Sequence, residues 1–471
     1  MLRAKAPRPP RTGRPRSVAV IGAGITGLTA ARRLHEAGLP VTVLEAAQQV
    51  GGQLEAVQVA GHHLDVGAES VFTAAPGPLE LIEELGLDDD LVAAQRATTW
   101  IRTRRGLRPL PAGFTPAGPS RLLPVLRSGV LSPLGMLRAG LEPLMPATDT
   151  DRDVAVGVEL QRRFGREVTD RLVDPLLGGL HAGDVRTLSL SAATPQLAAL
   201  LARHRSLLLR RRPPSRTGPA FVTLEQGMGA ITRALAEQLP SDALRCSTPV
   251  EQIRRVDGRL VVETAGGSEL AVDGIVLATP ARVAARLLAG PSPDAAEVLG
   301  TLRTASVAVV GLAYPAAAAE VPAIREGTGL LVPSTLPGLL KAATFLSTKW
   351  PHHRHEDVTL IRVSAGRAGD ERAMHLDDDT LVDQLHAELS LATGLTLAPQ
   401  AAVVRRWPHT MPQLEVGHQR RLAAARTALE RDLPGVALAG APYAGPGLSA
   451  CLRSAAEAAT HLMTTRPEAI R

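Results

Sequence analysis

Residues 17–46, SVAVIGAGITGLTAARRLHEAGLPVTVLEA, leave the chain few folds to choose from. An apolar run from Val18 to Ile21 reads as a buried strand, and Gly22, Gly24 and Gly27 read as a glycine turn. A helix then continues to about Glu36, and a second strand, Val41 to Leu44, ends on Glu45. In such a unit Gly22 permits the tight turn, Gly24 lets backbone approach a pyrophosphate, and Gly27 brings helix and strand together. The phosphates would sit on the free N–H groups of the helix N-terminus. Glu45, at the end of the second strand, is placed to bond a ribose 2′-OH. The motif by itself leaves NAD and FAD open.

The net charge of +6 has a local origin. Arg3, Lys5, Arg8, Arg11, Arg14 and Arg16 stand in residues 1–16 with no acid, and the rest of the chain balances 46 basic against 46 acidic residues. Residues 1–16, rich in Pro and Arg, are expected to be a disordered basic tail. A balanced body with 2% aromatic residues lacks both the charge footprint and the stacking surface for nucleic acid, so no nucleic-acid partner is expected. No apolar run approaches the ~18 residues of a membrane span. Two cysteines, Cys246 and Cys451, make neither a disulfide framework nor a metal site, and a cytoplasmic location fits them.

Beyond Glu45 comes the doublet Gly51-Gly52, followed by a hairpin pattern that ends on Gly67, Ala68, Glu69 and Ser70. Nicotinamide binding does not explain that doublet, whereas flavoproteins of the glutathione-reductase and amine-oxidase type carry one, so FAD moves ahead. A short amphipathic helix starts at Pro78 and closes at Gly86. Residues 93–220 turn Arg-rich and helical in pattern, with a charge of +11. Such a segment suits an anionic substrate, an acidic membrane surface, or simply a solvated arginine face. Hairpin strands follow, with turns at Asp257-Gly258 and Gly266-Gly267. The chain closes with a strand, a loop containing Gly440, Gly445 and Gly447, and a helix.

Taken together, GAGITGLTAA, the glycine doublet, GAESVF, DPLLGGLHAGDVRTLSL, FVTLEQGMGAITRAL, LATP, WPHTMPQLEVGH and GAPYAGPGLSAC resemble the oxygen-dependent, FAD-containing protoporphyrinogen and coproporphyrinogen oxidases of the amine-oxidase superfamily. The resemblance covers nearly everything after residue 16. It implies an α/β fold: a Rossmann-like FAD-binding domain (17–60, 221–290 and 405–471), a mixed-sheet substrate domain (61–92 and 291–404) and an inserted helical domain (93–220). FAD is then expected against the Gly22–Gly27 loop, Glu45, Ala46 and Gln53, with Gly67, Ala68, Glu69 and Ser70 near its ring. Val250 meets the adenine through its backbone, and Trp407 and the loop of Pro446, Gly447 and Leu448 complete the set. Trp407 reads equally as a core residue.

Two departures stand out. Gln53 replaces the usual Lys or Arg after the doublet, and Thr99 stands where the mitochondrial-type enzymes carry an arginine, leaving Arg102 or Arg104 to serve a substrate propionate. The chain looks more like the Gram-positive branch that works on coproporphyrinogen III. The implied reaction removes six electrons from a porphyrinogen with dioxygen as acceptor and hydrogen peroxide as by-product. Peripheral membrane contact through the basic segment and a transient hand-off to a ferrochelatase are the partners implied. An FAD-dependent amine oxidase or carotenoid desaturase is the alternative on this scaffold. No catalytic side chain or metal ligand is assigned, and His181, His409 and His418 read as structural.

Overall fold

The computed structural model describes residues 17–115, 118–119, 122–149, 152–210 and 218–464. The tail expected over residues 1–16 lies outside them. The chain divides into two units, one gathered from Met1–Gly52, Ile231–Thr301 and Arg420–Arg471, the other from Gln53–Ala230 and Leu302–Gln419.

The first unit is built on the strand Val18–Ile21, whose four residues are all buried. It pairs in parallel with Val41–Leu44 on one side and Gly274–Leu277 on the other, and the sheet is completed by Leu244–Arg245 and Val436–Leu438 at its edges. A parallel sheet needs both faces covered, which is why its strands are continuous apolar runs. The helix Ile25–Glu36 packs against Leu448–Thr464. Small residues, Gly27, Ala30 and Ala31 on one and Ala455, Ala458 and Ala459 on the other, are buried, so few aromatics are needed to fill these layers. A three-stranded meander, Val250–Val256, Arg259–Thr264 and Glu269–Val272, turns at Asp257-Gly258, both with positive φ, and at Gly267, as the sequence predicts.

The second unit carries a seven-stranded mixed sheet in the order Ala401–Pro412, Thr304–Pro315, Val358–Ala365, Leu340–Phe345, Gly327–Leu331, Thr98–Thr103 and Gly106–Pro109. All neighbours are antiparallel except Gly327–Leu331 with Thr98–Thr103. One face buries Leu312, Tyr314 and Phe345 with Leu381, Leu385 and Leu389 of the helix Asp378–Thr393. The other buries Val307, Val309 and Leu360 with Leu64, Val66 and Trp350. A third core, around Val156, Leu160, Phe164, Leu172 and Leu201, belongs to the helices of the basic segment.

The basic segment is not helical throughout. Its first part supplies two strands to the mixed sheet, because Thr98–Thr103 finds a parallel partner more than two hundred residues away that no local pattern announces. Residues 405–412, grouped with the cofactor domain by the sequence reading, complete the long strand Ala401–Pro412 and lie in the second unit with residues 53–60 and 221–230. Further on, Thr169–Gly178 is a π-helix containing Pro175, and the run ends at Ala182 in the left-handed region. Two phrases that the sequence singled out, around Leu188 and around Leu414, pair with each other. Ser189 donates its N–H to Leu414, and the Asp153 carboxylate accepts from Ser189 and from the Gly417 N–H. Among the described residues no helix is long and apolar enough to cross a membrane.

Candidate functional site

In the first unit the three glycines have different reasons to be glycine. A Cβ on Gly22 would stand 2.6 Å from the Ala278 carbonyl oxygen, and φ there is +105°. A Cβ on Gly27 would collide with the Gly22 carbonyl oxygen. Packing therefore fixes both. Gly24 has an ordinary extended backbone (φ −75°, ψ 177°), and the only neighbour of an added Cβ would be the Gly52 Cα at 3.9 Å. Nothing in the protein's own packing demands glycine there, and what its absent side chain leaves is open space over the N-terminus of Ile25–Glu36. That helix has no side-chain cap, so its first-turn N–H groups offer themselves to an anion. The doublet completes the rim: Gly51 pairs with Gly24 and donates its N–H to Ala23 at 3.0 Å, while Gly52 has φ +58°.

Glu45 is held beside this loop. One carboxylate oxygen accepts from the Ala23 N–H at 2.6 Å and the other from the Ala47 N–H at 2.8 Å, which leaves further lone pairs on both for ribose hydroxyls. The Thr248 N–H donates to the Glu45 carbonyl, so the segment leading into Val250 runs past Glu45 and Ala46. Val250 itself is buried, and its carbonyl accepts from Arg286 at 3.2 Å. Thr279, next to the turn, has a buried hydroxyl with no partner, a polar group that an incoming ligand could satisfy. Gly447, between Pro446 and Leu448 at the head of the last helix, would meet nothing within 4 Å if given a Cβ. Open space at two helix heads, an oriented carboxylate and an orphan hydroxyl together fit a dinucleotide with an unphosphorylated ribose. Cys451 is a buried free thiol on that last helix.

In the second unit Gly67 is fixed by packing, since a Cβ would collide with the Gln53 carbonyl oxygen, which also accepts from the Ala68 N–H at 2.9 Å. The Gln53 side chain donates to the Thr410 carbonyl at 3.3 Å. Glu69 is buried and fully engaged: Lys349 Nζ at 2.6 Å, the Trp350 indole N–H at 2.9 Å and Arg362 Nη1 at 2.9 Å all donate to it. Burial alone would raise its pKa, but the charges of Lys349 and Arg362 win and hold it at about 2. Arg362 also donates to the Gly67 carbonyl at 2.6 Å, which pins the segment entering Ser70. The sequence singled out Glu69 but not its partners, which lie 280 to 293 residues away. Trp407 is part-buried, donates its indole N–H to Val66 at 2.9 Å and carries the Arg405 guanidinium 4.7 Å over its ring.

Of the histidines, His181 is pushed down to about 4 by burial and stays neutral, His418 is buried, and His409 is exposed with φ +56°. Thr99 bonds the Thr328 hydroxyl, Arg102 has a buried nitrogen with no partner, and Arg104 lies in the turn between two strands. Among the described residues no group of His, Cys, Asp and Glu is arranged to hold a metal ion.

Known proteins match this arrangement along nearly its whole length. The family model for flavin-containing amine oxidoreductases matches residues 25–463. Coproporphyrinogen III oxidase of Bacillus subtilis (strain 168) is 30% identical over 463 residues, covering 95% of this chain and 98% of the relative. The enzyme of that name from Mycobacterium bovis is 34% identical over 457 residues, with the same coverage. The solved structure of an Exiguobacterium protein designated a protoporphyrinogen oxidase superposes with a TM-score of 0.85 at 29% identity, covering 95% of this chain and 98% of that one. The chain therefore belongs to the flavin-containing amine oxidoreductases, FAD-dependent oxidoreductases, in the group that holds the coproporphyrinogen III oxidases.

Proposed function

We propose that this chain oxidises a porphyrinogen in haem biosynthesis, with coproporphyrinogen III as the preferred substrate, coproporphyrin III as the product, and protoporphyrinogen IX as a second substrate. The single observation that carries the reading is identity of 30 to 34% along the whole chain to coproporphyrinogen III oxidases. FAD, when bound, would supply the two-electron acceptor for each of three oxidations, with dioxygen as the final acceptor and hydrogen peroxide as the by-product. The chain's own residues bind and orient. Gly22, Ala23, Gly24, Ile25, Thr26 and Gly27 cradle the pyrophosphate, and Glu45 and Ala46 hold the ribose. Val250 meets the adenine through its backbone, and Pro446, Gly447 and Leu448 line the second helix head. Gln53, Gly67, Ala68, Ser70 and Trp407 are the contacts of the second unit, with Glu69 acting through the segment it anchors. On this reading the unit gathered from three pieces is the cofactor domain. No side chain is needed as an obligatory base.

The test is anaerobic mixing of the purified yellow protein with each porphyrinogen. Bleaching of the flavin absorbance with the appearance of porphyrin fluorescence is the expected result. Absence of both, with turnover of an amine instead, overturns it.

The location we propose is cytoplasmic with peripheral attachment to a lipid surface. In support, Leu134, Leu137, Leu141 and Leu144 recur at helical spacing along the helix Pro133–Gly140 and the turn after it, exposed by 40 to 78%, in the segment that carries +11. Replacing Leu134 and Leu137 by Ser should abolish co-sedimentation with anionic vesicles and leave turnover in detergent-free buffer intact. Vesicle binding that survives the change sinks the attachment. A hand-off of the product to a ferrochelatase completes the proposal.

A further inference from the structure

The strand Leu340–Phe345 carries one cation in an otherwise apolar run, LKAATF. Lys341 is only 6% exposed. Among the described residues no acceptor reaches its ammonium group, and the charges that act on it, Arg362 and Arg367, are both positive. The Lys341 backbone and the Arg367 side chain meet at Val332. Val332 donates its N–H to the Lys341 carbonyl at 3.0 Å and accepts from Arg367 Nη2 at 2.7 Å, so Lys341 and the Arg367 guanidinium flank one residue.

The surrounding anions are already committed. Glu69 is shared between Lys349 and Arg362. Asp174, on the π-helix, accepts from the Ser334 N–H at 2.6 Å and hydroxyl at 2.9 Å, and burial raises its pKa despite the attraction of Arg367 and Arg186. Asp370 pairs with Arg372 and also attracts Arg367. Arg367 Nη1 and Arg362 Nε are buried with no acceptor, and the charges of both arginines act on Lys341. Two buried N–H donors without acceptors, close to a buried lysine that has no acceptor, are unfavourable, and an anion would relieve all of them.

We propose that Lys341 and Arg367 form a carboxylate-binding site that seats one carboxylate side chain of the substrate. A point charge and a planar guanidinium N–H suit the two oxygens of a carboxylate. This rests on the proposed function and deepens it, since coproporphyrinogen III bears four propionates and the site would hold one of them. Burial and its two cationic neighbours pull the Lys341 ammonium down to about 7, so the site holds its charge below neutrality and loses it above.

The experiment measures coproporphyrin III binding to the flavin-loaded protein by fluorescence quenching at pH 6 and pH 9, for wild type, Lys341→Met and Lys341→Arg, with the tetramethyl ester as control. Flavin absorbance and the unfolding midpoint verify each fold. For wild type we expect at least tenfold weaker binding of the free acid at pH 9. Lys341→Met should bind weakly at both pH values, Lys341→Arg should lose the pH dependence, and the ester should bind all three alike. Equal affinity and pH dependence in wild type and Lys341→Met overturn the site. Turnover of coproporphyrinogen by wild type in the same series judges the reading it rests on. Should wild type oxidise no porphyrinogen, a thermal shift with sodium propionate at pH 6 decides the site: a rise in wild type absent from Lys341→Met supports it, and no difference overturns it.

Discussion

Glu69 keeps its negative charge where burial alone would remove it, because two cations and an indole N–H converge on it. Its folded pKa of about 2 lies below the ordinary 4.5, so its contribution to stability is present above about pH 4.5 and is lost as pH falls toward 2. Glu69→Gln strands Lys349 and Arg362, and urea unfolding at pH 7 should show a loss of about 3–5 kcal/mol. Lys341 works the other way. The unfolded chain holds its proton up to about 10.5 and the folded one only to about 7, so this position weakens the fold in full at pH 7 and below, and the penalty fades as pH rises to 10.5. Lys341→Met should therefore raise the unfolding midpoint of the ligand-free protein more at pH 7 than at pH 10. Neither pattern was open to sequence reading. Glu69 could be singled out from its motif, but Lys349 and Arg362 are distant in the chain and carry no local signal, and a lone Lys in an apolar strand reads only as an irregularity.

At the scale of elements the glycine loop separates packing from binding. Gly27→Ala drives a methyl group into backbone that cannot yield and should lose about 1–3 kcal/mol, read by thermal unfolding. Gly24→Ala enters open space, so the flavin-free protein should unfold within about 0.5 kcal/mol of wild type while the flavin-to-protein ratio after purification drops. A normal flavin content in Gly24→Ala would show that the space beside that helix is not where the cofactor sits. Helices and hairpins with local signatures, such as Ile25–Glu36 and the turn at Asp257-Gly258, were legible because every donor, breaker and apolar period agrees. The strand Gly106–Pro109 was submerged in an Arg-rich, Pro-punctuated stretch, and the π-helix is invisible to a 3.6-residue period. Another buried device in that stretch was equally hidden. Arg163, with no exposed surface, joins Glu142, Glu159, Thr148 and the Arg205 carbonyl, and Arg163→Ala should cost about 3–5 kcal/mol in denaturant unfolding.

For the whole molecule, charge is sorted by region. Six of the cations stand in residues 1–16, and a chain starting at residue 17 should retain full oxidase activity, measured as porphyrin fluorescence per flavin. The sorting was readable from composition, but the division into units was not, since pieces of both alternate along the chain. That alternation bears on how the protein is made. Val18–Ile21 is made well before its partners: its sheet gains Gly274–Leu277 and then Val436–Leu438 only later in synthesis, and the helix that covers Ile25–Glu36 is Leu448–Thr464. Contacts so far apart in sequence form slowly and late. Until Val436–Leu438 and Leu448–Thr464 have been made, the nascent chain carries an unfinished parallel sheet and an uncovered Ile25–Glu36, so the glycine loop between strand and helix waits on much later residues for its native setting.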